Sequence, residues 1–212
     1  MTQEGFTVKN AGGGANYDAL PTHIIGENAH GTYAHPLESR AFENGDIHIL
    51  GEINEYHSQR FIMLLRTAAR ERKKLRLFIN SPGGSVSAGL AMLDAMNAYP
   101  HDISICCTGL AASMGAVLLA GGRVGQRYIL PHSKVMIHEP LIAGGLGGSA
   151  TSIQRTAESI IETKKVLNSL LAEFTGRTIE EIDRSTAFDN FFNAEEAIEF
   201  GLCDRIATGY ED

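Results

Sequence analysis

An α/β fold built from repeated strand–helix units is predicted by three observations. Short apolar runs of strand character, DIHIL from Asp46, LRLFIN over Leu75–Asn80 and ISICCT over Ile103–Thr108, alternate with segments of helical period. The connections carry turn chemistry, most clearly Ser81-Pro82-Gly83-Gly84. With 212 residues, 43% hydrophobic and 20% charged, the chain has the size and composition of one generous globular domain. Strands joined by helical crossovers pair in parallel, so a mainly parallel sheet follows.

Residues 1–34 are rich in Gly, Asn, His and Thr, include Gly12-Gly13-Gly14, and hold no sustained period; they are expected to form a flexible arm, with the folded domain over residues 35–212. After DIHIL, helical spacing runs from about Asn54 to Lys73, and again from about Ser87 to Ala98, with Met92, Met96 and Tyr99 on one stripe. A further apolar helix begins near Ser113, and two short strands are expected at about Arg127–Leu130 and Lys134–His138. Beyond the Gly-rich stretch Ala143–Gly148, a long amphipathic helix is predicted over about Thr151–Thr175. Its stripe is Ile153, Ala157, Ile160, Ile161, Leu167, Leu170, Leu171 and Phe174, and Gly176 is placed to end it. At 1.5 Å per residue such a helix reaches ~36 Å, more than one core needs, so it is expected to project toward a partner subunit. Thr178 with Glu181 and Asn193 with Glu196 have capping-box spacing and open two shorter helices before a last strand near Leu202–Ile206.

Eighteen Lys and Arg against 25 Asp and Glu leave a net charge of −7 and no long basic cluster, which argues against a phosphate-backbone grip and against nucleic acid as a partner. Cys106, Cys107 and Cys203 are odd in number and contain an adjacent pair, so neither a disulfide framework nor a metal knuckle can be drawn from them, and a reducing compartment is expected. The N-terminal MTQEGFTVKN has no signal-peptide layout, and stretches such as GAVLLAGG fall far short of the ~20 apolar residues of a membrane span. A cytoplasmic protein with no membrane partner is the expectation.

Chemistry concentrates in three places. In Gly109-Leu110-Ala111-Ala112-Ser113-Met114-Gly115-Ala116 a serine stands among small residues between a strand and a helix, either as an N-cap or as a nucleophile beside unpaired N–H groups. His138 ends the apolar run Val135-Met136-Ile137, a strand tip suited to a general base or to a histidine bonded to a carbonyl; His132, after Pro131, is the nearest rival. The loop Asn80-Ser81-Pro82-Gly83-Gly84-Ser85 lacks both phosphate-loop patterns, so its glycine pair reads as an oxyanion donor or a tight turn.

Four stretches in order, FINSPGGSVSAGLAMLDAM, TGLAASMGAVLLAGG, LPHSKVMIHEP and AEEAIEFGLCD, resemble the Clp protease proteolytic subunit (ClpP) family over about Asp46 to Ala207. The resemblance implies the ClpP/crotonase-like fold with the long helix projecting, and a serine endopeptidase without metal or cofactor. Ser113 would be the nucleophile, His138 the base and Asp189 the acid that orients it, with Asp183 a rival; Gly84 and Met114 would supply oxyanion-hole N–H groups. It further implies a peptide bound as an added strand along Gly84, Ser85 and Val86 on one side and Pro140 and Leu141 on the other. The implied assembly is a homo-oligomer of two stacked heptameric rings, a tetradecamer, fed by an AAA+ unfoldase and in some cases sharing its ring with a paralogous subunit. Departures from the family pattern fall at Phe188, where arginine is usual, and at Arg76, where an aromatic is common; the Gly-rich stretch after His138 is about two residues longer. Two other readings stand beside this one: a structural ring subunit of little activity, and an acyl-CoA-binding crotonase-like protein.

Overall fold

The computed structural model describes residues 7–8, 22–28, 31–142 and 147–209, in two compact units, residues 1–47 and 48–212. In the first, β1 (Thr7–Val8), β2 (His23–Asn28) and β3 (Gly31–Pro36) form an antiparallel sheet, and α1 (Leu37–Glu43) follows. His35 and Arg40 each reach the Glu43 carboxylate, at 3.2 and 2.9 Å. Much of the expected arm, residues 1–6, 9–21 and 29–30, lies outside the described residues, but its expected end at residue 34 falls inside β3. HIIGEN and GTYAHP pair through their backbones, and neither carries the apolar alternation by which a strand is read from sequence.

The second unit is built on a sheet of order β10-β7-β6-β5-β4, with β4 (Asp46–Leu50), which enters this unit at His48, at one edge and β10 (Arg205–Ile206) at the other. The pairs of β5 (Leu75–Ser81) with β6 (Ile103–Ala112), of β6 with β7 (Arg127–Ile129) and of β7 with β10 are parallel, as helical crossovers require. On β5, Leu75, Leu77 and Ile79 are buried while Arg76 and Phe78 take the alternate face, where Phe78 stacks on His48 with ring centroids 5.1 Å apart. Helices α2 (Glu55–Arg70), α3 (Val86–Asn97), α4 (Met114–Ala120) and α5 (Ala150–Thr175) pack each on the next. All seven residues of α4 are buried, which explains why its sequence is apolar on every side. The mixed α/β architecture with a mostly parallel sheet is the fold class predicted.

Strand β6 is longer than ISICCT indicates. Its register against β5 shifts between Cys107 and Ala111, around Gly109, whose φ of +154° side chains rarely adopt, and it continues to Ala112. Its first half is sandwiched between β5 and β7; its last three residues leave β7 and pair in parallel with β8 (Lys134–Ile137). In turn β8 pairs antiparallel with β9 (Asn190–Phe192), a strand without warning in the sequence reading. Both expected capping boxes form, opening α6 (Ile179–Thr186) and α7 (Ala194–Phe200). Helix α5 has 26 residues and ends on Gly176 at φ +73°; its buried residues, Leu167, Asn168 and Leu171, all lie in its second half.

The C-terminal ends of α4, α5 and α7 converge on one guanidinium. Arg127 Nη1 donates to the carbonyls of Ala120, Phe174 and Gly201 at 3.0–3.1 Å, and Nη2 donates to Asp204 Oδ1 at 2.6 Å. Asp204 also accepts from the backbone N–H groups of Gly125 and Arg127. A cation set against three helix C-termini satisfies carbonyls that have no intrahelical donor.

Candidate active site

Two ladders meet at β8 and determine what lies beside His138. In the β6–β8 pair Ala112 stands opposite Met136, and the Ser113 N–H donates to the Met136 carbonyl at 2.8 Å, which carries the register one step past the strand. In the β8–β9 pair Ile137 stands opposite Asn190, so the next cross-strand positions are His138 and Asp189. The side chains complete the line. Asp189 Oδ1 lies 3.0 Å from His138 Nδ1, and His138 Nε2 lies 2.9 Å from Ser113 Oγ. A carboxylate only accepts, so the imidazole carries its proton on Nδ1 and donates it to Asp189, leaving Nε2 to accept from the Ser113 hydroxyl.

Ser113 occupies φ 53°, ψ −121°, one of two non-glycine residues with positive φ among those described. Such a conformation costs on the order of 1–3 kcal/mol and is retained here between a strand and a buried helix, so that the serine caps no helix N–H with its side chain and leaves its hydroxyl to His138. Gly83 permits the approach: a Cβ there would sit 2.7 Å from Ser113 Cβ and 2.7 Å from the Ala112 carbonyl. At Gly84, with φ +144°, a Cβ would meet the Ile53 carbonyl at 2.2 Å.

A pocket of about 230 Å³ opens beside Ser113 and His138. Gly84 and Met114 both line it, and among the described residues neither backbone N–H has an acceptor. Its walls are apolar: Pro82, Val86, Val117, Ile137, Pro140 and Leu141, with Leu167 and Leu171 from α5. Of the five residues expected along a bound peptide, Gly84, Val86, Pro140 and Leu141 are in this lining and Ser85 is not. The Ser85 hydroxyl instead caps α3 at Ala88 N–H and donates to Glu55 Oε1 at 2.8 Å, which holds the Glu55 carboxyl below the ordinary range. A second groove of about 650 Å³ shares Val86, Pro140 and Leu141 and runs along the first half of α5, from Ser149 to Thr163.

The rival residues are occupied elsewhere or exposed. Asp183 is bound to Lys164 at 2.8 Å and to Asn168 at 3.2 Å, and His132 is exposed in the turn before β8. All three cysteines are buried; burial raises the Cys107 thiol and pushes Cys203 up to about 12, so neither offers a thiolate at neutral pH. Phe188, beside Asp189, is 85% exposed. Residues 143–146 of the Gly-rich stretch lie outside the described residues, while Pro140 and Leu141 line the pocket and Ile142 the adjoining groove. Sequence reasoning missed Leu167 and Leu171 as pocket walls, although their i, i+4 spacing places them on one face of α5.

A serine on a strained strand-to-helix turn, with an imidazole and a carboxylate in line behind it and unpaired N–H groups beside it, is the arrangement of a serine hydrolase. A model of the Clp protease family matches residues 29–209, further toward the N-terminus than the motifs alone indicate. The chain belongs to the Clp protease family, and so to the ClpP-type serine peptidases, which assemble as oligomeric rings. Among the described residues no helix is long and apolar enough to cross a membrane.

Proposed function

We propose that this chain is a serine endopeptidase that hydrolyses unfolded proteins and peptides, with Ser113 as nucleophile, His138 as general base and Asp189 as the group that orients it. The observation that carries this reading is the unbroken line from Ser113 Oγ through His138 to Asp189, with links of 2.9 and 3.0 Å. His138 Nε2 takes the hydroxyl proton as Ser113 Oγ attacks the peptide carbonyl. The resulting oxyanion is held by the N–H groups of Gly84 and Met114, and the same proton then passes to the leaving amine as the C–N bond breaks. Water, activated by the same imidazole, attacks the acyl-enzyme and restores Ser113. Neutral imidazole is needed for the first step, so the rate falls in acid.

The peptide is taken up as an extended strand along Gly84–Val86 and Pro140–Leu141, with an apolar side chain in the pocket and the flanking residues in the adjoining groove. Ser85 contributes backbone to this edge, its side chain being held by Glu55. The ring is proposed as a heptamer stacked on a second, in a cytoplasmic particle whose chamber an AAA+ unfoldase fills. The exposed first half of α5, with Ile153 and Ile161 at 39% and 51% exposure, forms the contact between rings.

A fluorophosphonate probe tests the chemistry on the assembled chain. The parent is expected to be labelled and Ser113→Ala not, with peptide hydrolysis lowered at least about 10⁴-fold in the variant. Equal labelling of parent and variant in every assembly state would remove the reading's support. Native mass spectrometry checks the ring separately, and a monomer at micromolar concentration would exclude a chamber.

A further inference from the structure

Two segments bring His138 and Asp189 together, and both are pinned to one side chain of α5. On the far side of the pair from the β8–β9 ladder, the Glu139 N–H donates to the Thr186 carbonyl at 2.7 Å, so the chain is stitched both before and after the imidazole. Lys164 Nζ then reaches Glu139 Oε2 at 2.9 Å and Asp183 Oδ1 at 2.8 Å. Glu139 follows His138 directly, and Asp183 lies on α6, which feeds through Thr186 into Asp189. From the same face of α5, Asn168 donates to Asp183 and accepts from the buried Thr186 hydroxyl. Residues 164, 167, 168 and 171 follow the i, i+3, i+4, i+7 spacing of one helical face, so the stripe that grips the two segments also supplies the pocket walls Leu167 and Leu171.

We propose that Lys164 is a positioning residue: its ammonium ties the His138-bearing and Asp189-bearing segments to α5 and keeps the imidazole aligned on Ser113. The proposal rests on the peptidase reading above. The Lys164 side chain is 28% exposed and its two carboxylates 41% and 55%, and ion pairs so open to water contribute little to folding. Its loss therefore acts on alignment more than on stability, and a displacement of about 1 Å at reacting groups can cost on the order of 100-fold in rate. The ammonium is held charged by hydrogen bonds to Asp183 and Glu139, so the clamp persists across the neutral range.

The test uses the full chain in its assembled form with a short uncharged fluorogenic peptide. Lys164→Met is expected to lower kcat roughly 10–100-fold with KM within about twofold, and Lys164→Arg to restore it to within about threefold. In an Asp189→Asn background, Lys164→Met is expected to add less than about a twofold loss, because a residue acting through that pair has nothing left to align. Parent-like kcat in Lys164→Met, losses that multiply in the double variant, or a fall confined to KM or to the melting temperature would overturn the proposal. Should Lys164→Met fail to fold by circular dichroism, Glu139→Gln withdraws one arm of the bridge with little change of shape; a loss of roughly 3–10-fold supports the clamp and no loss refutes it. A parent inert to peptide and fluorophosphonate in every assembly state removes the peptidase reading and this proposal with it, whereas an active parent matched by Lys164→Met removes the proposal alone.

Discussion

Two pairs of opposite character hold aspartates at strand ends, and their surroundings separate a structural pair from the pair proposed to act in catalysis. Arg127 and Asp204 are 5% and 16% exposed, and every direction around them is taken by helix carbonyls or backbone N–H groups. His138 and Asp189 are 15% and 63% exposed, and the imidazole has its free face toward a hydroxyl and a pocket. A buried pair with all its hydrogen bonds satisfied cannot change protonation without leaving a charge uncompensated, which suits it to holding three helix ends together. A pair open to solvent on the acid's side and to a nucleophile on the other can pass a proton and recover.

Exchanging the side chains tests that contrast. Asp189→Asn is expected to lower kcat roughly 10³–10⁴-fold, because the amide no longer dictates the imidazole tautomer, while the urea midpoint barely moves. Asp204→Ala should do the reverse. Stranding the Arg127 guanidinium in the interior is expected to cost about 3–5 kcal/mol in denaturant unfolding, with kcat near the parent's at temperatures where the chain is folded. The smallest effect is on pH. Burial alone would raise the Asp204 carboxyl, but hydrogen bonds from Arg127 and the Gly125 and Arg127 N–H groups outweigh it and hold the group below the ordinary range. A depressed folded value means a contribution fully present above the unfolded carboxylate value of about 4 and lost as pH falls through the folded one. Urea midpoints measured from pH 7 to pH 3 are therefore expected to drop more steeply below about pH 4 for the parent than for Asp204→Asn.

What could be read from the chain follows the range over which each signal acts. The alternation in LRLFIN, the stripe of α5 and the two capping boxes are local, and they form as expected. The positions of Ser113 and His138, the proposed nucleophile and base, were legible because each sits at the end of an apolar run, where a strand must stop. Asp189 was reached by resemblance rather than by pattern: Asn190-Phe191-Phe192 is too short to announce a strand, and β9 exists only because β8 offers an edge. The engagement of the Ser85 hydroxyl was not legible for a similar reason, since it combines a local task as the α3 cap with a distant one at Glu55. The hairpin of β2 and β3 escaped notice because backbone pairing leaves little trace in side-chain hydrophobicity.

Residue chemistry, turn glycines and helical periods are properties of short windows, and the amino-acid order alone determined them: an α/β chain with a serine at a strand-to-helix turn and a histidine at a strand tip. Distance between those groups is set by strand register. One step of slip in β8 would reverse every side chain on it and carry His138 away from both partners. Only the folded sheet, where β8 is paired on one edge with β6 and on the other with β9, decides that step, because the packing that selects the register comes from residues far apart in the chain.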